Sequence, residues 1–326
     1  MPMNIVKNRL LYAIHLLLII LSLIKEQFTM PSTSSTDNCT HVTPECPIDA
    51  HLYGYAPNLA ANIFFVAFFV LGTVFHLVAG IYYRTWSFMV ALTFGCLCEA
   101  VGYVGRVMMH YNVWDNAGFQ VQITCLILGP SILAAGVYLT LKHIVLNIDQ
   151  RFSRLKAHWY TWIFIFCDLV ALNVQGGGGG VAGGAENGSS DLKRGTDIMI
   201  GGIIFQVVVL VFFGYFLIEY FVRVYRHHDQ LGHDSLANLR SRRFQGFMGA
   251  VVLSFSTIFA RCVYRIPELI GGWGNELMKN ETEFVLLEGV MICLATLSLT
   301  VFHPGWCFPA MAGWTRERKQ RVRHIL

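Results

Sequence analysis

Several ionisable side chains stand inside long apolar runs of this chain, and their spacing suggests what they do. Glu99, Tyr103 and Arg106 fall at i, i+4 and i+7, which puts them on one face of a helix. Arg261, Tyr264, Arg265 and Glu268 repeat the device in a later run, while Asp168, Gln175, Gln206 and Glu288 stand in three others. A charged group in such a run costs about 2.5–3.5 kcal/mol to insert into a bilayer, so it faces the interior of a bundle and finds a partner. The chemistry this favours is recognition of a polar or charged ligand. Bond-making machinery is missing: there is no HxxxH or HExxH pattern for zinc, no GxSxG nucleophile turn, and no Lys or Ser/Thr after the glycine run for a phosphate. No cofactor is implied.

The elements that must position these residues follow from composition. Of 326 residues 55% are apolar and 13% charged, where a soluble domain carries ~25% charged. Seven apolar runs, near 58–81, 86–109, 119–142, 158–175, 198–222, 244–266 and 283–303, are each long enough to span a bilayer. With no water in the hydrocarbon, each must be helical. The expected fold is all-α, a polytopic membrane bundle of seven transmembrane helices, N-terminus outside and C-terminus cytosolic. Residues 1–30 read as a signal peptide or anchor helix, with Lys7 and Arg9 ahead of fifteen apolar or weakly polar residues from Leu10 to Ile24. Residues 31–57 form a short extracellular segment, 58–310 the seven-helix domain and 311–326 a basic cytosolic tail that rests against anionic lipid.

Two signals give that orientation. Loops assigned inside, with the tail, carry fifteen Lys and Arg, against Lys193, Arg194 and Lys279 in the loops outside. The glycosylation pattern Asn-x-Ser/Thr occurs at Asn38, Asn187 and Asn280, all on the outside. Cys39 and Cys46, in the short polar segment outside the cytosol, are expected to form a disulfide or to remain two free thiols. The modest net charge of +4 has no interleaved aromatic patch, which sets nucleic acid aside.

Most of the polar residues fall between the midplane and the outer surface, and two readings of them stand: ion pairs that fix helix packing, or a ligand-binding cavity with structural pairs around it. Gly176–Gly180, five consecutive glycines, are read as a flexible outer loop or a mobile gate, because such a stretch holds a helix poorly. Gly95, Gly102, Gly201 and Gly202 are read as permitting tight helix packing. His76 and His303 are read as packing residues, and Trp86, Trp159, Trp162 and Trp306 as an interfacial belt.

A set of motifs resembles the fungal RTA-like family of lipid-translocating exporters associated with aminocholesterol resistance. The matching features are Tyr53-Gly54-Tyr55 with Pro57 and Ala61-Asn62, Glu99-x-x-Gly102-Tyr103-x-x-Arg106, and Asp168 with Gln175 and the glycines. Gly202 with Gln206, Arg261-x-x-Tyr264-Arg265-x-x-Glu268, and Glu288 complete the set, over about residues 50–310. Two features depart from the family pattern, Asn58 after Pro57 where Ser is commoner and a longer glycine run, and the second bears on the shape of the outer gate. The resemblance implies a multi-pass fungal plasma-membrane protein that exports or flips sphingoid long-chain bases or sterol-like toxicants, and other members are linked to porphyrin or haem movement. The tail of such a lipid would lie between helices while Glu99, Asp168 or Glu288 receives its ammonium head. Without a nucleotide-binding module, movement is downhill, coupled to protons or driven by a partner. The rival reading is a seven-helix sensor for an amphiphile, whose inner loop 223–243 meets a cytosolic regulatory partner; an enzyme ranks third.

Overall fold

The computed structural model describes residues 47–48, 53–183, 185 and 189–308. The leader, the Cys39 and Cys46 pair, Asn38, Asn187 and the basic tail lie outside the described residues. Seven helices among those described are long and apolar enough to cross a bilayer: Leu59–Tyr83, Trp86–Tyr111, Asn116–Asn147, Ala157–Ala182, Ser190–Arg226, Arg242–Ile270 and Glu281–Cys307, here the first to seventh spans. No strand occurs among the described residues.

Local chemistry sets where the spans start and stop. Asn58, Asp115, Ser189 and Asn280 cap the first, third, fifth and seventh, each accepting a bond from a free N–H of the first turn. Asn280 is exposed, though its side-chain oxygen is engaged in that cap. The first span ends on Arg84 in the left-handed region, φ 55°, which lets the chain reverse within two residues. Each span packs against the next, the seventh returns to the first, and the third also touches the sixth. The third span is therefore central, with 78% of its apolar window buried against 33% for the first. The seventh is not uniform: a π-helical turn at Val285–Val290 interrupts it and carries Glu288. Such turns recur at functional sites.

The glycine run corrects the expectation of a loop or gate, because Gly176–Gly180 continue the fourth helix, Ala157–Gly183. Glycine costs a helix about 1 kcal/mol per residue relative to alanine, but an unpaired peptide group in hydrocarbon costs several, so the helix wins. The missing side chains let the fourth and fifth spans touch. A Cβ on Gly178 would lie 2.7 Å from the Gly195 carbonyl oxygen, and one on Gly195 would run into the backbone of Ala182. Gly95, Gly102 and Gly202 also stand at close helix contacts, whereas Gly201 faces open space. Gly195→Ala is expected to lower the thermal midpoint in detergent by the equivalent of about 1–3 kcal/mol of overpacking. Gly201→Ala should leave that midpoint unchanged or raise it, by up to about 1 kcal/mol of helix propensity. Equal midpoints for the two variants would remove the packing account.

Candidate functional site

The polar groups of the bundle fall into three neighbouring clusters, and the central third span contributes to all three. At the end where the first span begins, Arg106 is fully buried. Its Nε donates to Asn62 Oδ1 at 3.1 Å and its Nη2 to the Tyr55 hydroxyl at 3.2 Å, with Glu281 at 3.6 Å. The guanidinium lies 3.8 Å from the Phe284 ring centroid, a cation–π contact. Gln122 Nε2 donates to the Tyr53 hydroxyl at 3.0 Å, and burial pushes the phenols of Tyr53 and Tyr55 up, with Arg106 opposing, so both remain neutral. Glu281 also accepts the Asn58 backbone N–H at 2.5 Å. The segment Tyr53–Asn58 is thus strapped across that end of the bundle.

Deeper lies a network of ion pairs. Arg261 Nε donates to Glu288 Oε2 at 2.6 Å, and Arg265 Nη1 reaches Glu268 at 3.2 Å and Glu288 at 3.4 Å. Arg261 Nη2 donates to the Leu126 carbonyl. The reason for that last bond is Pro130, inside the third span, which has no N–H to offer the carbonyl four residues back. The proline frees the Leu126 carbonyl and Arg261 satisfies it. Glu99, buried beside this network, packs its carboxyl against Gly129, where any Cβ would collide with it. Its Oε1 has no hydrogen-bond partner. Tyr264 is partly buried within electrostatic reach of Glu268 and Glu288, and Tyr103 stacks on Phe69 with ring centroids 5.8 Å apart.

The third cluster lies on the other side of the third span. Tyr138 donates its hydroxyl to Asp168 Oδ2 at 2.9 Å, and Asp168 Oδ1 is buried without a partner. Gln175 Nε2 donates to Gln206 Oε1 at 3.1 Å, and Gln206 Nε2 donates to Ser131 Oγ at 2.7 Å. Gly202 leaves the room that Gln175 occupies. Asp168 and Ser131, both buried, are among the residues lining a cavity of about 240 Å³ between the second, third and fourth spans. Its walls are otherwise mostly apolar, and Val90, Phe94, Ile132 and Ala135 on its rim are partly exposed on the side of the bundle, so it is a groove facing lipid. It runs from the level of Leu128 near midspan toward Ser87, at the end of the bundle opposite the Tyr53 strap.

The sequence-derived residues therefore separate by role. Arg261, Arg265, Glu268 and Glu288 hold one another, Arg106 turns to the Tyr53 strap, and Gln175 and Gln206 bond directly. Asp168 reaches the groove and, among the described residues, forms no ion pair. Sequence reasoning passed over Ser131, Tyr138 and Gln122, which look ordinary in their runs, and named Asn62 in a motif without giving it a site role. Pro130 was a readable signal for the orphaned carbonyl. His76 and His303 are buried, with rings 6.0 Å apart; His76 Nε2 meets Thr300 Oγ1 at 3.1 Å and His303 Nδ1 accepts the Gly305 N–H at 3.0 Å, as packing residues do. No group of three or more His, Cys, Asp or Glu suited to a metal occurs among the described residues.

Comparison with known proteins adds relatives to this geometry. The family described as "RTA1 like protein" matches residues 92–311. The chain is 30% identical over 282 residues to the sphingoid long-chain base transporter RSB1 of Saccharomyces cerevisiae, covering 78% of this chain and 74% of that one. It is 26% identical over 289 residues to protoporphyrin uptake protein 1 of the same species, covering 77% and 91%. Protein RTM1 of Saccharomyces cerevisiae is 26% identical over 234 residues, 67% of each. No solved structure matches.

Proposed function

The chain belongs to the RTA1-like family, and from that membership we propose that it moves amphipathic lipids with a cationic head, of the sphingoid long-chain base kind, between the leaflets of a membrane. One observation carries the reading: a lateral apolar groove with an unpaired carboxylate at midspan. An apolar tail enters such a groove from the bilayer without leaving hydrocarbon. The ammonium is the costly part of the crossing, and a carboxylate halfway across offsets its desolvation. Of the three acids that suit the head, Glu288 is engaged by two arginines and Glu99 is shut against Gly129, while Asp168 faces the groove. The cavity is smaller than the ~300–1,000 Å³ of a pocket that encloses a drug-sized ligand, so it suits a head and the first part of a tail, with the rest left in lipid.

The basic loops support an orientation in which the groove opens toward the cytosolic leaflet and the Tyr53 strap covers the outer end, and a plasma-membrane location suits export in that direction. Loading of the groove from the inner leaflet fits that orientation. The test is reconstitution: purified protein in liposomes should accelerate transfer of a fluorescent long-chain base between leaflets with no nucleotide and no second protein. Folded protein that transfers no faster than protein-free vesicles would sink the transporter reading and favour a sensor.

A further inference from the structure

The groove holds a second polar group, and its geometry is unlike that of hydroxyls absorbed by their own helix. Thr73, Thr140 and Thr196 each donate to the carbonyl four residues back at 2.8–2.9 Å, the usual way a helix absorbs a hydroxyl in an apolar setting. Ser131 sits 3.4 Å from the corresponding Ile127 carbonyl, at the limit of a hydrogen bond. It is drawn instead to the Gln206 amide at 2.7 Å. The chain has a direction in the arrangement found. Gln175 donates to the Gln206 oxygen, which turns the Gln206 nitrogen toward Ser131, so the serine oxygen accepts from Gln206 and its O–H is only weakly held. Three buried polar side chains from three spans thus end in a hydroxyl at the groove wall, whose donor is held only by the long bond to Ile127 and whose second lone pair is open.

We infer that Ser131, oriented by Gln206 and Gln175, is a specificity-determining residue that binds a hydroxyl of the lipid head, so that the groove selects an amino-alcohol over a plain long-chain amine. This rests on the groove reading above. Asp168 takes the ammonium, which both classes of lipid possess, and Ser131 takes a hydroxyl beside it, which only the amino-alcohol possesses. A sphingoid base is a 2-amino-1,3-diol, with hydroxyls on both carbons next to the amine-bearing one.

The experiment is a competition in liposomes between sphinganine and octadecylamine, equal in chain length and amine. The wild type should prefer sphinganine by about tenfold, the value of one added hydrogen bond between neutral groups at the upper end of its range. Ser131→Ala should bring the ratio near one by lowering sphinganine transfer more than octadecylamine transfer, and Ser131→Thr, which restores a hydroxyl, should recover most of the preference. Gln206→Leu, which releases the serine, should narrow the ratio as Ser131→Ala does. Equal handling of the two lipids by wild type, or an unchanged ratio in Ser131→Ala, overturns the inference and leaves the transport reading standing. Transfer of neither lipid by folded wild type removes the reading beneath it and the inference with it.

Discussion

Asp168→Asn is expected to reduce transfer of a long-chain base by at least tenfold while leaving abundance and thermal midpoint close to wild type. The substitution is nearly isosteric, and an amide oxygen still accepts the Tyr138 hydroxyl that now bonds Asp168 at 2.9 Å. What is lost is the charge. A hydrogen bond to an ionised group contributes about 1.5–3 kcal/mol, or roughly ten- to a hundredfold in affinity. The full effect falls on the ammonium at midspan, where no water substitutes for the carboxylate. Because Asp168 has no cation partner among the described residues, removing its charge leaves no arginine stranded, so the loss of transport should come without a loss of fold. Glu268→Gln offers the contrast: it leaves Arg265 only the longer contact to Glu288 and should lower the midpoint first. Normal transfer by folded Asp168→Asn would move the head site elsewhere in the bundle.

The bundle was legible in the sequence because a bilayer permits few answers. Apolar length dictates a helix, and the start of the second span at Trp86 and of the first beside Asn58 follow from composition and a cap residue. Composition misled at the glycines, whose weakness as helix formers in water ended the expected fourth span at Gln175, when the helix continues to Gly183. The fifth likewise begins at Ser190, well before the expected 198, since its early residues pack on those glycines. For the polar residues, periodicity identified the face but not the partner. Glu99 and Arg106 share a helix face, yet Arg106 pairs with Asn62, Tyr55 and Glu281, whose approach depends on the packing of the first and seventh spans. The sequence suggested one polar cavity, whereas the arginine-bearing clusters lie toward the Tyr53 end of the bundle and the groove runs from midspan toward Ser87 at the other end. Nothing in the spacing of Asp168 or Ser131 distinguishes a residue on a groove from one in a sealed core.

Arg261→Met is expected to be among the most destabilising single changes in the protein, costing about 3 kcal/mol or more, because it strands two groups at once. Glu288 loses the donor at 2.6 Å and keeps only the longer contact from Arg265 at 3.4 Å. The Leu126 carbonyl, which Pro130 denies its helical partner, loses the side chain that replaces it. The two losses can be separated. Adding Glu288→Met to Arg261→Met removes the stranded charge and should recover most of the deficit, since a buried ion pair replaced by apolar groups of similar size is often neutral. The carbonyl remains, and Pro130→Ala answers it by restoring a backbone N–H at the right position. In the wild type that change is of little use, because Arg261 already occupies the carbonyl; in the Arg261→Met background it should raise the thermal midpoint. The measurement is a double-mutant cycle on midpoints in detergent, and a coupling of about 1 kcal/mol or more between positions 130 and 261 is the expected result. Strict additivity would mean that the arginine and the proline act independently, and that Arg261 matters through its ion pair with Glu288 on the seventh span rather than through its bond to the third.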